Sequence, residues 1–220
     1  ILQTAWRCIL LSEEIIILMP NHEDMINTKQ LLLENNINIP VYEAIMETAK
    51  DLVSEKIKQG TRVIISRGMT SALLRSSFNI HVVEIRYNFF DFCLACKNAL
   101  QYSNKVAIVG FNPSFNVPEI SQFFDFKQFE IRVLKDRSKV SETIKELKQS
   151  GIEVLIGGHT VCNEAKLQNI KSINMPINKK SILDAVTDAG HINSLEVENQ
   201  NQLESIANVL DQTEEGIITV

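Results

Sequence analysis

The sequence predicts an α/β protein of two Rossmann-like lobes, each built on a parallel sheet, with an interlobe cleft. Three observations predict it. Short apolar, β-branched runs alternate with amphipathic helical patterns from Ile15 to Met175, the rhythm of repeated strand–helix–strand units. That rhythm breaks once, at Arg86 to Phe92, and then restarts. Each half also contains a buried-looking strand that runs into a glycine turn, Ile64-Ile65-Ser66-Arg67-Gly68 in the first and Ile156-Gly157-Gly158 in the second.

In the first half, Ile15 to Met19 is apolar throughout, as a strand covered on both faces must be. Glu23 to Asn35 reads as a helix. Asn38 to Val41 reads as a short outer strand, because Pro40 cannot donate to a ladder. Ile45, Ala49, Leu52, Val53 and Ile57 stripe a helix that stops at Gly60. Arg62 to Ile65 is the next strand, Thr70 to Ser76 a helix, and His81 to Ile85 a strand.

The second half repeats the order. Asn88 to Gln101 is helical, and Lys105 to Gly110 is an apolar strand with glycine at its end. Pro118 to Phe124 fits a short helix with Pro in the first turn, where it is tolerated. Phe129 to Leu134 is a strand. Val140, Ile144 and Leu147 stripe a helix that Gly151 ends. Ile152 to Ile156 is a strand, Thr160 to Leu167 a short helix, and Ser172 to Met175 the last strand.

The tail has a different pattern. Ile182, Ala185, Ala189, Ile192, Leu203, Ile206 and Leu210 keep a 3.5-residue register, with polar Glu196 and Asn199 at the intermediate positions. Two readings fit: a long helix with a dimer-type seam, or a terminal helix packed on its own domain followed by a solvated linker. Gly190 costs about 1 kcal/mol in a helix interior and favours a break there.

Composition narrows the function classes. The 220 residues are 45% hydrophobic and 22% charged, enough for a packed core and against intrinsic disorder. The net charge is −5, so the basic excess of a free-standing nucleic-acid module is missing. Four cysteines, Cys8, Cys93, Cys96 and Cys162, are too few for a disulfide scaffold and fit a reducing, cytoplasmic compartment. No apolar run approaches the length of a membrane span.

The candidate site is read from strand ends, where open α/β sheets bind ligands. Ser66, Arg67, Gly68, Met69, Thr70 and Ser71 combine a glycine turn, a helix start, two hydroxyls and a guanidinium. Free N–H groups at a helix start favour anions, and Arg67 can hold a carboxylate with two parallel hydrogen bonds. The plainer reading is that Thr70 caps the helix and Arg67 is a surface charge. Gly157, Gly158, His159, Thr160 and Cys162 repeat the arrangement in the second half. There the helix dipole is expected to lower the Cys162 pKa, and His159 to sense pH or donate to a ligand. Gly110 and Phe111, at a third strand end, would line the same cleft. Cys93 and Cys96 lie within a helical stripe and read as small buried residues. No catalytic residue, metal site or cofactor is assigned: the phosphate-loop, dinucleotide-binding, serine-elbow and zinc-protease motifs are absent.

These motifs also carry a family resemblance. Ile64 to Arg75 (IISRGMTSALLR), Val82 to Ile85, Asp91, Val106 to Phe111 (VAIVGF), Gly151 to Cys162 (GIEVLIGGHTVC) and Ser181 to Ala189 resemble the amino-terminal receptor domain of the propionate-catabolism-regulator family. Its members are sigma-54-dependent, NtrC-like bacterial transcriptional activators. The resemblance spans about Ile15 to Gly190. It implies two Rossmann-like lobes that bind a small organic acid or related metabolite, such as 2-methylcitrate, and control a downstream ATPase. Met69 departs from the pattern, which usually has glycine there. Glu214 to Val220 looks like the first strand of a PAS domain. The expected organisation is a first lobe over 13–87 plus 176–193, a second over 88–175, and a linker helix with the start of a truncated PAS-like domain over 194–220. The expected partners are a second copy of the chain and, in the full protein, the PAS-like, ATPase and DNA-binding domains. This chain itself is expected to touch neither nucleic acid nor membrane, and to have no enzymatic activity.

Two other functions remain open. A two-lobed cysteine racemase or isomerase would need a thiol from each lobe at the cleft; Cys162 is available, but the first-lobe loop offers only Ser66 and Thr70. A dimerisation module without ligand would rest on the tail register.

Overall fold

In the computed structural model the described residues are 13–111, 129–134 and 137–212. The side chains of 111 and 209–212 are outside that set, as are the expected helix at Pro118 to Phe124 and the PAS-like segment at Glu214 to Val220. The chain forms two four-stranded sheets, every ladder parallel.

The first sheet uses β1 (Ile15–Met19), β2 (Val41–Glu43), β3 (Val63–Ser66) and β4 (His81–Glu84), in the order β2-β1-β3-β4. The second uses β5 (Val106–Phe111), β6 (Phe129–Leu134), β7 (Val154–Gly157) and β8 (Lys171–Asn174), in the order β6-β5-β7-β8. The helices are α1 (His22–Glu34), α2 (Glu47–Lys58), α3 (Gly68–Ser77), α4 (Phe89–Leu100), α5 (Val140–Gln149), α6 (His159–Leu167) and α7 (Lys179–Gln212).

The pleat explains the apolar runs. Ile15, Ile17, Met19, Val63 and Ile65 point to one face, under α1 and the first half of α7. Ile16, Leu18 and Ile64 point to the other, against Ala49 and Val53 of α2 and Leu74 of α3. In the second sheet, Val106, Ile108, Val154 and Ile156 meet Phe92, Ala95, Cys96 and Ala99 of α4. Ala107, Val109 and Leu155 meet α5 and α6. With both faces covered, a strand has no reason to alternate apolar and polar residues.

Asparagines start two helices. Asn21 Oδ1 accepts from the Asp24 amide at 2.9 Å ahead of α1, and Asn88 Oδ1 accepts from the Asp91 amide at 2.8 Å ahead of α4. Several boundaries move from the sequence expectation. β2 begins after Pro40 rather than before it, consistent with the missing donor. α3 starts at Gly68, two residues before Thr70.

The tail differs more. α7 runs unbroken through Gly190 for 34 residues, about 51 Å at 1.5 Å per residue, so the expected break does not occur. Contacts on both sides of the glycine outweigh its cost. Ile182, Ala185, Val186 and Ala189 are buried on the first sheet. Beyond it, Asn193 Nδ2 donates to Glu14 at 2.9 Å, and His81 pairs with Glu196 at 2.7 Å. Past that pair, Leu203 and Ile206 are exposed, at 66% and 56%.

Candidate functional site

Both sheets have the same strand order, and it decides where a ligand could sit. In each sheet the first strand has its second strand on one side and its third on the other. The crevice outside the carboxyl ends of such a pair is where doubly wound sheets take ligands. In the first sheet it opens between β1 and β3, in the second between β5 and β7. The two crevices face one cleft of about 970 Å³ of empty space, its open mouth included.

The first-sheet wall contains Arg67, Gly68, Met69 and Thr70 after β3, Pro20 and Asp24 after β1, and Ile45 after β2. The second-sheet wall contains Gly110 of β5, Gly158, His159 and Thr160 after β7, Asn174 at the end of β8 and Met175 after it. Ile108, Ile131, Val133 and Val161 make much of it apolar. Tyr87, from the crossover between the sheets, completes it.

Eight of the residues singled out in the sequence therefore meet at one cleft. Gly68 has φ +57° at the first helical position, the left-handed region that favours glycine. Arg67 is the N-cap of α3 with an extended backbone, and its guanidinium carbon lies 4.1 Å from the Tyr87 ring centre. It is a half-buried cation held over an aromatic ring rather than a free surface charge. Thr70 does not cap α3. Its Oγ1 accepts from the Met46 amide at 3.3 Å and so ties the β2–α2 loop to the glycine loop. Met46 itself sits at φ 52°, ψ −118°, a strained backbone for a side-chain-bearing residue. Neither α3 nor α6 has a side-chain cap, in contrast to α1 and α4. Their first-turn amides have no intrahelical acceptors.

Ser66, Ser71, Gly157 and Cys162 lie behind the wall. Ser66 is the buried last residue of β3, and its carbonyl accepts from the Ile85 amide at 2.8 Å. Ser71 is fully buried inside α3. Gly157 has a packing role: a Cβ there would lie 2.6 Å from Val161 Cγ1 and 2.9 Å from the Val109 carbonyl oxygen. Phe111 ends β5, and its side chain is outside the described set.

Cys162 needs correction. It is buried, with Sγ 3.6 Å from the Gly157 carbonyl. Burial pushes its thiol pKa up, against the lowering expected from the helix dipole. Desolvation outweighs the lowering effects of Ser172, Lys166 and the Gly157 backbone. His159 is also engaged: Asn163 Nδ2 donates to its Nε2 at 2.9 Å, so that nitrogen is the acceptor.

Among the residues sequence reasoning missed are Pro20, Asp24, Ile45, Tyr87, Arg132, Asn174 and Met175. They lie in or beside strands and in the crossover, and only the strand order says which strand ends matter. Among the described residues, no cluster of three His, Cys, Asp or Glu could hold a metal ion. Among them too, no helix is long and apolar enough to cross a membrane.

Comparison with known proteins agrees with this architecture. An NtrC family transcriptional regulator from Clostridium acetobutylicum superposes with a TM-score of 0.73 at 23% identity, over 84% of this chain and 99% of that one. At that identity the likeness speaks for the fold. A LacI family transcriptional regulator from Enterococcus faecium, solved with bound ribose, matches with a TM-score of 0.36 at 12% identity, over 84% of this chain and 90% of that one. That likeness is too loose to carry an argument. No match is found among curated proteins. A family model described as "Propionate catabolism activator" matches residues 33–199, from the end of α1 through both glycine loops to the docked part of α7. The chain belongs to the propionate catabolism activator family, as its regulatory domain.

Proposed function

We propose that this domain senses a small carboxylate-bearing metabolite, which binds in the cleft and controls the downstream ATPase of a sigma-54-dependent activator in the cytoplasm. One observation carries the reading. Two uncapped helix starts, α3 and α6, enter the cleft from opposite sheets, with the Arg67 guanidinium beside the first. Each helix start favours an anion by about 0.3–1 kcal/mol, and up to about 2 when partly buried. The apolar walls would take the metabolite's hydrocarbon part. Residues 13–87 with 176–193 would form one moving unit and 88–175 the other. Ligand would favour the closed arrangement by its differential affinity for that state, and α7 would pass the change onward.

A second reading, a module that pairs two copies, has its own observation: Leu203 and Ile206 are exposed along the free part of α7. The two are compatible. The racemase reading loses support, because its candidate thiol, Cys162, is buried with a raised pKa.

The test is a thermal-shift screen against central-metabolism carboxylates. A ligand at 100 times its Kd adds about 2.7 kcal/mol, and at about 2–4 °C per kcal/mol the Tm should rise about 5–11 °C. Arg67→Ala should abolish the response while leaving the ligand-free Tm within a few degrees. A ligand that binds the Arg67→Ala variant unchanged would overturn the assignment.

A further inference from the structure

Tyr87 is the only described residue outside the two sheets' own loops that faces the cleft from the β4–α4 crossover. Its side chain touches both glycine loops. The ring face lies under the Arg67 guanidinium, 4.1 Å from Cζ, on the first-sheet side. The hydroxyl lies against Gly158 on the second-sheet side, where a Cβ would come within 3.2 Å of Oη. The crossover is one of two chain passages between the sheets, so any change in the angle between them must be taken up near it.

We infer that Tyr87 is a positioning residue that couples the spacing of the two lobes to the orientation of Arg67. A guanidinium held over an aromatic face has its orientation restrained by the ring beneath it. The cation–π contact supplies that restraint. The hydroxyl's contact with Gly158 fixes the ring, and this second contact depends on where the second lobe stands. A shift of Gly158 toward or away from the crossover therefore turns the ring and with it the plane in which Arg67 can grip a carboxylate. Glycine at 158 is what lets the phenol seat this closely. The inference rests on the binding reading only for what Arg67 then holds; the coupling itself exists in the ligand-free protein.

The experiment follows the Arg67 Nε–Hε resonance in ¹⁵N-labelled, ligand-free chain, assigned by its loss in Arg67→Lys. A ring stacked under the guanidinium shifts that proton, so Tyr87→Leu should move the signal to the position of an unstacked arginine, and Tyr87→Phe should largely preserve it. Gly158→Ala acts from the other lobe and should move it as well, by displacing the phenol. In the Tyr87→Phe background, where no hydroxyl meets the new methyl, Gly158→Ala should leave the signal in place. An Arg67 signal unmoved by Gly158→Ala overturns the inference, and so does one that Gly158→Ala moves equally in the Tyr87→Phe background. Tyr87→Phe and Gly158→Ala keep the test open should Tyr87→Leu fold poorly. Failure of the thermal-shift screen would remove the binding reading without touching this result, and the converse also holds.

Discussion

Gly157 and Gly158 are adjacent in sequence and have opposite roles in the structure, and a pair of alanine substitutions separates them. At Gly157 an added Cβ would lie 2.6 Å from Val161 Cγ1, 2.7 Å from Val161 Cβ and 2.9 Å from the Val109 carbonyl oxygen. Ordinary carbon contacts are about 3.5–4.0 Å, so close to an ångström must be found. Two of the three obstructing atoms are a Cβ and a backbone oxygen, neither of which can swing aside. Val109 and Val161 belong to the same buried cluster, both about 1% exposed. Overpacking of this kind costs about 1–3 kcal/mol. For a chain of this length that lowers Tm by about 2–12 °C. At Gly158 the nearest neighbour is the Tyr87 hydroxyl, the far end of a side chain, so Gly158→Ala should cost less stability than Gly157→Ala. Differential scanning calorimetry of both variants decides it. Val161→Ala removes Cγ1 but not Cβ or the Val109 oxygen, so in the Gly157→Ala background it should recover only part of the loss. A Gly157→Ala Tm within 1 °C of wild type, or below that of Gly158→Ala by nothing, would refute the packing role.

Three further outcomes follow from other parts of the structure. Met46→Gly should raise Tm, because strain of about 1–3 kcal/mol at φ 52°, ψ −118° exceeds the roughly 0.5–1 kcal/mol entropic penalty of glycine; a lower Tm would show that the Met46 side chain outweighs the strain. Burial pushes the Cys96 thiol up to about 12 from 9.0, so the folded state holds a proton that the unfolded state releases. Stability should be unaffected by this group below about pH 9 and should fall as pH rises from there toward 12; Cys96→Ala should flatten that alkaline decline, as read by urea titration at several pH values. Leu203→Glu should abolish any concentration-dependent dimer seen by analytical ultracentrifugation while leaving Tm at low concentration unchanged, since Leu203 is 66% exposed; a dimer that persists would place the contact elsewhere than on α7.

Much of this molecule was legible from local pattern. Strands covered on both faces must be apolar throughout, and Ile15 to Met19 is; both glycine turns sit at strand ends, and α3 and α6 start where the turns place them. These are properties of a few consecutive residues, and backbone geometry acts at that range. The tail was legible only in part. Its register continues across Gly190, but whether a glycine breaks a helix depends on what holds the flanks. Here the first sheet holds one flank, and Glu14 and His81, more than a hundred residues away in the chain, hold the other.

What the sequence by itself determined is the order of the described strands and the main helices between them, and the two glycine turns at strand ends. It also determined the family, through the two glycine blocks. Only the tertiary structure decided which strands are neighbours, and thereby that Asp24 and Tyr87 join Arg67 at one cleft while Ser71 and Cys162 lie behind its wall. The same holds for the division of labour between Gly157 and Gly158, one meeting Val161 and the other Tyr87. The physical reason is common to all three. Strand order, burial and close approach are relations between residues far apart in the chain, and they are set by which apolar faces can be covered together, a condition that no short stretch of residues specifies.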